Sequence, residues 1–364
     1  MTQHVKMIGL RAVFVLLLVL VLLPDVSVSA EKGLAKITLQ LTEYEDEYHV
    51  VAQGENLQDV YAYELQLQFD PLRLQLQQAK AEPSGFTVQP MINGDQLVFA
   101  HTKLGSAAGI SGDAKLADLT FKRIRGGDAV VALTDVKLVN STLKLSSSES
   151  SEQLTLPDDT PAPALNDIEG HWGEQWITTA VELGFVSGYS DGTFRPNEQI
   201  TRMEYAVLLT RALQLPRSEQ LSFTDEENIP QWAKGAVATA HKAGIIQGYN
   251  DNTFRGMQPV SRAELAVMMN RGLAYVAQSQ DQTDAHAELQ SEQSQAGTMD
   301  QTLGYVDAAQ IPLWAQSATQ QATVKGLLQG RSNNYFMPLA PMTRAEAVTA
   351  TLRMLYVKAG LNLN

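Results

Sequence analysis

The chain has 364 residues, enough for more than one domain, and its 40 acidic against 27 basic residues leave a formal charge of −13. With no Lys or Arg cluster against that balance, a phosphate backbone finds no electrostatic footprint, and nucleic acid is excluded as a partner. The absence of cysteine removes disulfide frameworks, thiolate catalysis and Cys-ligated zinc together.

Residues 1–30 read as an export signal. Lys6 and Arg11 supply the positive start, Ala12 to Leu23 the apolar run, and Val28-Ser29-Ala30 the small residues of a cleavage site. Spanning a bilayer takes about 20 apolar residues. This run is shorter, so a secreted chain with no membrane span after cleavage is expected.

Residues 31–145 alternate in the manner of strands, as in Ile37, Leu39, Leu41 and again in Tyr63, Leu65, Leu67, Phe69. Such runs, broken by Gly, Asn, Asp and Pro, predict an all-β sandwich of two sheets. Residues 146–164 follow with Ser146-Ser147-Ser148, Pro157, Pro161 and Pro163, a composition that reads as a Ser/Pro-rich linker between domains.

Beyond it the chain repeats itself, over 165–215, 221–276 and 303–358. With Gly188, Gly248 and Gly330 as origins, a tryptophan stands sixteen residues before each (Trp172, Trp232, Trp314) and an arginine fourteen after (Arg202, Arg262, Arg344). Alanines, glycines and phenylalanines recur in triplicate between them, and Asp167, Asp225 and Asp307 precede the units at slightly variable distance. Residues 277–302, rich in Gln, Ser and Glu, read as a solvated insertion. Ile177, Ala180, Val181 and Gly184 mark one helix of a unit, and Met203, Ala206, Val207 and Thr210 one face of another. A two-helix unit cannot cover its own apolar face, so a multidomain chain is expected whose C-terminal part is an all-α pseudo-threefold array of three helix-loop-helix repeats.

Each second helix opens with Thr201-Arg202-Met203-Glu204, Ser261-Arg262-Ala263-Glu264 or Thr343-Arg344-Ala345-Glu346. The first and last positions make a capping box, in which two orphan helix donors are satisfied reciprocally. Capping does not account for the arginine, because a cation in the first turn opposes the helix dipole. Two readings stand side by side: an internal ion pair, or a guanidinium fork receiving an external carboxylate. The tryptophans are core residues or platforms for a sugar face. The three reference glycines are left-handed helix caps or points of close approach to a ligand.

The succession Asp167, His171-Trp172, Gly188-Tyr189, Asp191-Gly192-Thr193-Phe194-Arg195-Pro196 and Ile200-Thr201-Arg202-Met203-Glu204 resembles an S-layer homology repeat, and three in tandem resemble that family's working unit. The resemblance implies binding to secondary cell-wall polysaccharide at the surface of a Gram-positive-type bacterium, often through a pyruvylated amino sugar whose carboxylate meets the motif arginine. It makes Arg202, Arg262, Arg344, Trp172, Trp232, Trp314, Gly188, Gly248 and Gly330, with Asp167, Asp225 and Asp307, the expected glycan-binding residues. The third repeat departs from the pattern, with Gly330-Arg331-Ser332-Asn333-Asn334 in place of the Gly-Tyr and Asp-Gly elements.

Asp59-Val60-Tyr61-Ala62-Tyr63 through Phe69-Asp70-Pro71-Leu72-Arg73-Leu74, with Ala117-Asp118-Leu119-Thr120-Phe121, resembles the cohesin signature, which related carbohydrate-binding sandwiches share. That resemblance implies a nine-stranded jelly roll that holds the dockerin of another protein, and a single cohesin joined to wall-binding repeats resembles an anchoring scaffoldin. A sandwich that attaches the cell to external polysaccharide, or a purely structural envelope domain, are the alternatives. No nucleophile, phosphate or metal-ligand spacing stands out, and the six histidines are scattered, so neither catalysis nor a cofactor is expected.

Overall fold

The computed structural model describes residues 35–44, 47–158, 163–281 and 304–363. The expected export signal, and residues 282–302 of the expected insertion, lie outside the described residues. The chain divides into two compact units at Asp159/Thr160.

The first unit is all-β, as the alternation predicts. Its nine strands among the described residues are β1 (Lys36–Tyr44), β2 (Glu47–Phe69), β3 (Leu74–Ala81), β4 (Phe86–Thr87), β5 (Met91–Asn93), β6 (Gln96–Thr102), β7 (Ile110–Arg123), β8 (Ala129–Asn140) and β9 (Leu145–Leu156). β2 is the spine: its first half pairs antiparallel with β1 and β7, its second half with β6 and β8. Between the halves the β2–β7 register slips around Gly54, Leu57 and Val60, and Asn56 and Asp59 take left-handed φ of 52°. Such irregularity bends a strand, so one segment serves two layers. Val50, Ala52, Leu65 and Leu67 of β2 meet Leu97, Phe99, Leu119, Phe121, Val131 and Leu133 in one core, each large apolar side chain contributing about 1.5–3 kcal/mol.

The linker expected over 146–164 is corrected here. Residues 146–156 belong to β9, which runs antiparallel to β8 from Ala129↔Leu156 to Val139↔Leu145. Its serines are exposed while Leu156 is fully buried. Backbone pairing, rather than side-chain composition, makes this a strand.

Six α-helices of the second unit are described: α1 (Glu174–Glu182), α2 (Arg202–Ala212), α3 (Gln231–Lys242), α4 (Arg262–Asp281), α5 (Leu313–Val324) and α6 (Arg344–Lys358). α4 runs on to Asp281, past the expected start of the insertion at 277. The expectation of an all-α pseudo-threefold array is not met. The unit is mixed: isolated β-bridges join Gln199 to Thr343, Thr201 to Pro259 and Ser261 to Pro341, and 3-10 turns occur at Glu226–Asn228, Ala308–Gln310 and Ser332–Asn334. Nor are the repeats equivalent, their second helices having 11, 20 and 15 residues.

The bridges have a local cause. A capping residue is extended, as Thr201 and Thr343 are at ψ of 160° and 161°, so the stretch leading into each second helix offers open backbone groups to its neighbours. Ile200 N–H donates to Met342 O, Met342 N–H to Val260 O and Val260 N–H to Ile200 O, each at 3.0 Å. This closed circuit of backbone bonds ties the three repeats together. α2 correspondingly buries Tyr205, Leu208, Leu209 and Ala212 as well as the predicted Met203, Ala206, Val207 and Thr210. A helix buried on nearly every side lies inside its unit and does not merely cover one face of it.

Candidate functional site

The acidic residue at the head of each repeat fixes a loop. Asp167 accepts from the backbone N–H of Phe194 and Arg195, both at 2.7 Å, and Asp225 and Asp307 do the same for Phe254 and Arg255, and for Phe336 and Met337. That staple holds the phenylalanine carbonyl in place. Arg344 Nε donates to Phe194 O at 2.9 Å, Arg202 Nε to Phe254 O at 3.1 Å and Arg262 Nε to Phe336 O at 2.6 Å. Each motif arginine therefore reaches from its own helix into the loop of a different repeat.

Its second partner is the glutamate of that repeat's capping box. Arg202 Nη1 meets Glu264 at 2.7 Å, Arg344 Nη1 meets Glu204 at 3.4 Å, and Arg262 Nη1 stands 3.7 Å from Glu346. Of the two readings offered for the arginine, the internal ion pair is what the geometry contains. Burial alone would raise the carboxyl of Glu264, but the Ser261 N–H and the Arg202 guanidinium outweigh it and hold it below its ordinary value. The arginines also lie over aromatic rings: Arg202 over Tyr249 and Phe254, Arg262 over Phe336, Arg344 over Tyr189 and Phe194.

The reference glycines are not left-handed caps. The positive φ values fall on Gly184, Gly244 and Gly326, at 75°, 69° and 70°, where each first helix ends. Gly188, Gly248 and Gly330 are glycine for want of room: a Cβ on Gly188 would strike Leu165 and stand 2.9 Å from Thr193 O, one on Gly248 would stand 2.8 Å from the Phe223 ring, and one on Gly330 3.0 Å from the Tyr305 ring.

The tryptophans are surface residues, 59%, 57% and 58% exposed for Trp172, Trp232 and Trp314. Each stands at the mouth of a groove floored by residues of the other two repeats. The first groove, about 270 Å³, gathers Gly188, Tyr189, Glu204 and Arg211 with Trp232 and Arg344. The second, about 620 Å³, gathers Gly248, Tyr249, Glu264 and Arg271 with Trp314 and Arg202. The third, about 270 Å³, gathers Gly330, Arg331, Glu346 and Arg353 with Trp172 and Arg262. Sequence reasoning thus named the tryptophan, glycine and arginine of every groove. The three aspartates stand behind the grooves as loop staples.

Sequence reasoning missed the glutamates as arginine partners, the tyrosines that share them, and a second arginine nine positions after each motif arginine. Tyr189 and Tyr249 hydroxyls donate to Glu204 and Glu264 at 3.3 and 2.9 Å. Arg211, Arg271 and Arg353 recur at constant spacing, the signal that would have found them. A flat aromatic face beside a polar, cation-bearing floor is suited to a sugar ring that carries an acidic group.

Residues 164–206, 222–266 and 304–348 match the S-layer homology domain. An endoglucanase of Bacillus sp. (strain KSM-635) is 28% identical over 186 residues, which are 51% of this chain and 18% of that protein. A cellulosome-anchoring protein of Acetivibrio thermocellus is 26% identical over 182 residues, 49% of this chain and 36% of that protein. The chain therefore spans well under half the length of these relatives. A solved cohesin module from a family 33 glycoside hydrolase of Clostridium perfringens aligns with 34% of this chain and 95% of its own length, at 13% identity and a TM-score of 0.29. With the repeats matched one by one, the conclusion for the second unit is direct: it carries three S-layer homology domains.

Proposed function

We propose that the chain is a non-catalytic surface adaptor, whose second unit binds secondary cell-wall polysaccharide and whose sandwich recruits a dockerin-bearing protein such as a polysaccharide-degrading enzyme. The observation that carries the first half is the recurrence, in all three grooves, of an exposed tryptophan opposite a largely buried arginine and a close-packed glycine. In this reading Trp172, Trp232 and Trp314 stack on sugar rings, Arg202, Arg262 and Arg344 orient acidic substituents, and Gly188, Gly248 and Gly330 let backbone come close. Asp167, Asp225 and Asp307 hold the loops that bear those contacts. Three linked grooves on one polymer convert later contacts into intramolecular events, raising avidity by roughly 10²–10⁴. The similarity to a cellulosome-anchoring protein supports the second half.

Co-sedimentation of residues 31–364, and separately of residues 31–158, with purified wall sacculi tests the anchoring half. The longer chain is expected to pellet only with sacculi that retain their secondary polymer, and the sandwich alone to stay in solution. Pelleting by both, or by neither, overturns the reading.

A further inference from the structure

The third groove is short of one carboxylate. In the first two, a tyrosine hydroxyl and the motif arginine share the capping-box glutamate. In the third, the tyrosine position holds Arg331, which donates to Glu346 twice, Nε to Oε1 at 2.9 Å and Nη2 to Oε2 at 2.7 Å. Arg262 donates Nε to Phe336 O at 2.6 Å and Nη2 to Gln329 O at 2.7 Å, but its Nη1 stands 3.7 Å from Glu346 and 3.6 Å from the weak acceptor Met342 Sδ. Arg262 is 3% exposed. Its guanidinium is pushed down from its ordinary range first by burial and then by the neighbouring Arg331.

Two more features single this groove out. Its charged lining is Arg262, Arg331 and Arg353 against Glu346 alone, whereas Arg344 and Arg211 face Glu204 in the first groove, and Arg202, Arg255 and Arg271 face Glu264 and Asp251 in the second. Thr349, 4% exposed and lining the third groove, has an Oγ1 without a hydrogen-bond partner. At the corresponding places the other grooves have Val207 and Val267. A buried orphan hydroxyl has lost its water without replacement unless a partner is supplied.

We infer that the third groove, although its repeat departs most from the motif, is the preferred seat for a carboxylate-bearing sugar, whose anion faces Arg262 and Arg353 and whose polar edge takes the Thr349 hydroxyl. The inference rests on the wall-glycan reading and sharpens it: the other two grooves, with their charges more nearly balanced, hold the acidic sugar less tightly. Arg331 acts as a positioning residue that keeps Glu346 occupied, so that the ligand completes the pairing of Arg262.

The test is calorimetric titration of the full chain with the methyl glycoside of a pyruvylated amino sugar and with its unsubstituted parent. Arg331→Tyr with Thr349→Val gives the third groove the residues of the others. The double variant is expected to lose at least tenfold in affinity for the pyruvylated glycoside and to keep its affinity for the parent. Conversely, Tyr189→Arg with Val207→Thr in the first groove is expected to add a second tight carboxylate-dependent site, a readout that stands even where the loss variant is poorly folded. Unchanged titrations in both variants, with intact sedimentation on wall polymer, sink the inference and leave the wall-glycan reading standing. Loss of sedimentation by the unsubstituted wild-type chain removes both.

Discussion

Arg202 Nη1 lies 2.7 Å from Glu264, across the boundary between the first and second repeats, with the arginine side chain 7% and the glutamate side chain 21% exposed. Glu264 simultaneously caps its own helix, taking the Ser261 N–H at 2.9 Å. One carboxylate thus joins a local helix start to a contact between repeats. Arg202→Ala strands it in a largely buried position, which costs about 3 kcal/mol. Urea unfolding of the full chain, followed by tryptophan fluorescence, is expected to show that loss. By contrast, Arg195→Ala breaks an exposed pair with Asp191 and is expected to leave the midpoint in place.

Acid should loosen the same boundaries. Burial tends to raise the carboxyls of Glu264 and Glu346, but Ser261 N–H and Arg202 at the first, and Arg331 at the second, bring both below the ordinary value of 4.5. A folded value below the unfolded one means stabilisation that is complete above 4.5 and fades as pH falls through the depressed folded value. The melting temperature of the second unit is expected to be flat from neutrality to about pH 5 and to decline below it, less steeply in Glu264→Gln. A decline of equal slope in that variant would contradict the assignment.

Trp232→Ala separates binding from stability. Its ring is 57% exposed and forms part of the first groove, so its removal leaves thermal unfolding almost unchanged, by about 0.5 kcal/mol or less. Sedimentation on wall polymer is expected to weaken severalfold. An unaltered binding curve would remove the aromatic platform from the mechanism.

Gly188→Ala does the reverse, because the added methyl meets Leu165 and the Thr193 carbonyl. Overpacking of this kind costs about 1–3 kcal/mol. Chemical denaturation is expected to report it, with any change in glycan affinity following from the shifted loop.

The end of the sandwich is equally testable. A fragment of residues 31–145 lacks β9, uncovers the β8 edge and removes Leu156 from the core. Far-ultraviolet circular dichroism is expected to show cooperative melting for residues 31–158 and none for 31–145.

β9 explains why part of the fold was hidden in the sequence. Its Ser146-Ser147-Ser148-Glu149 stretch faces water and carries no alternation to read; what holds it is the backbone ladder to β8. β2 was legible for the opposite reason, since Tyr63, Leu65, Leu67 and Phe69 all point into the core. In the repeats, spacing found the tryptophan, glycine and motif arginine of each unit but not what they touch. Glu204, Glu264 and Glu346 were read as capping residues, which they are, while the motif arginines they meet lie 140, 62 and 84 positions away, each in another repeat. No local period encodes such a contact. The same limit let the extended bridges between repeats go unseen.

The circuit in which Ile200, Val260 and Met342 each donate to one neighbour and accept from the other has no loose end. An open stack of repeats can grow or shrink by duplication, each copy needing only the one before it. Here a fourth copy would find no donor or acceptor waiting, and a chain that lost one would expose two. Copy number is therefore fixed by backbone geometry, and inheritance of this unit is expected to be all three repeats or none.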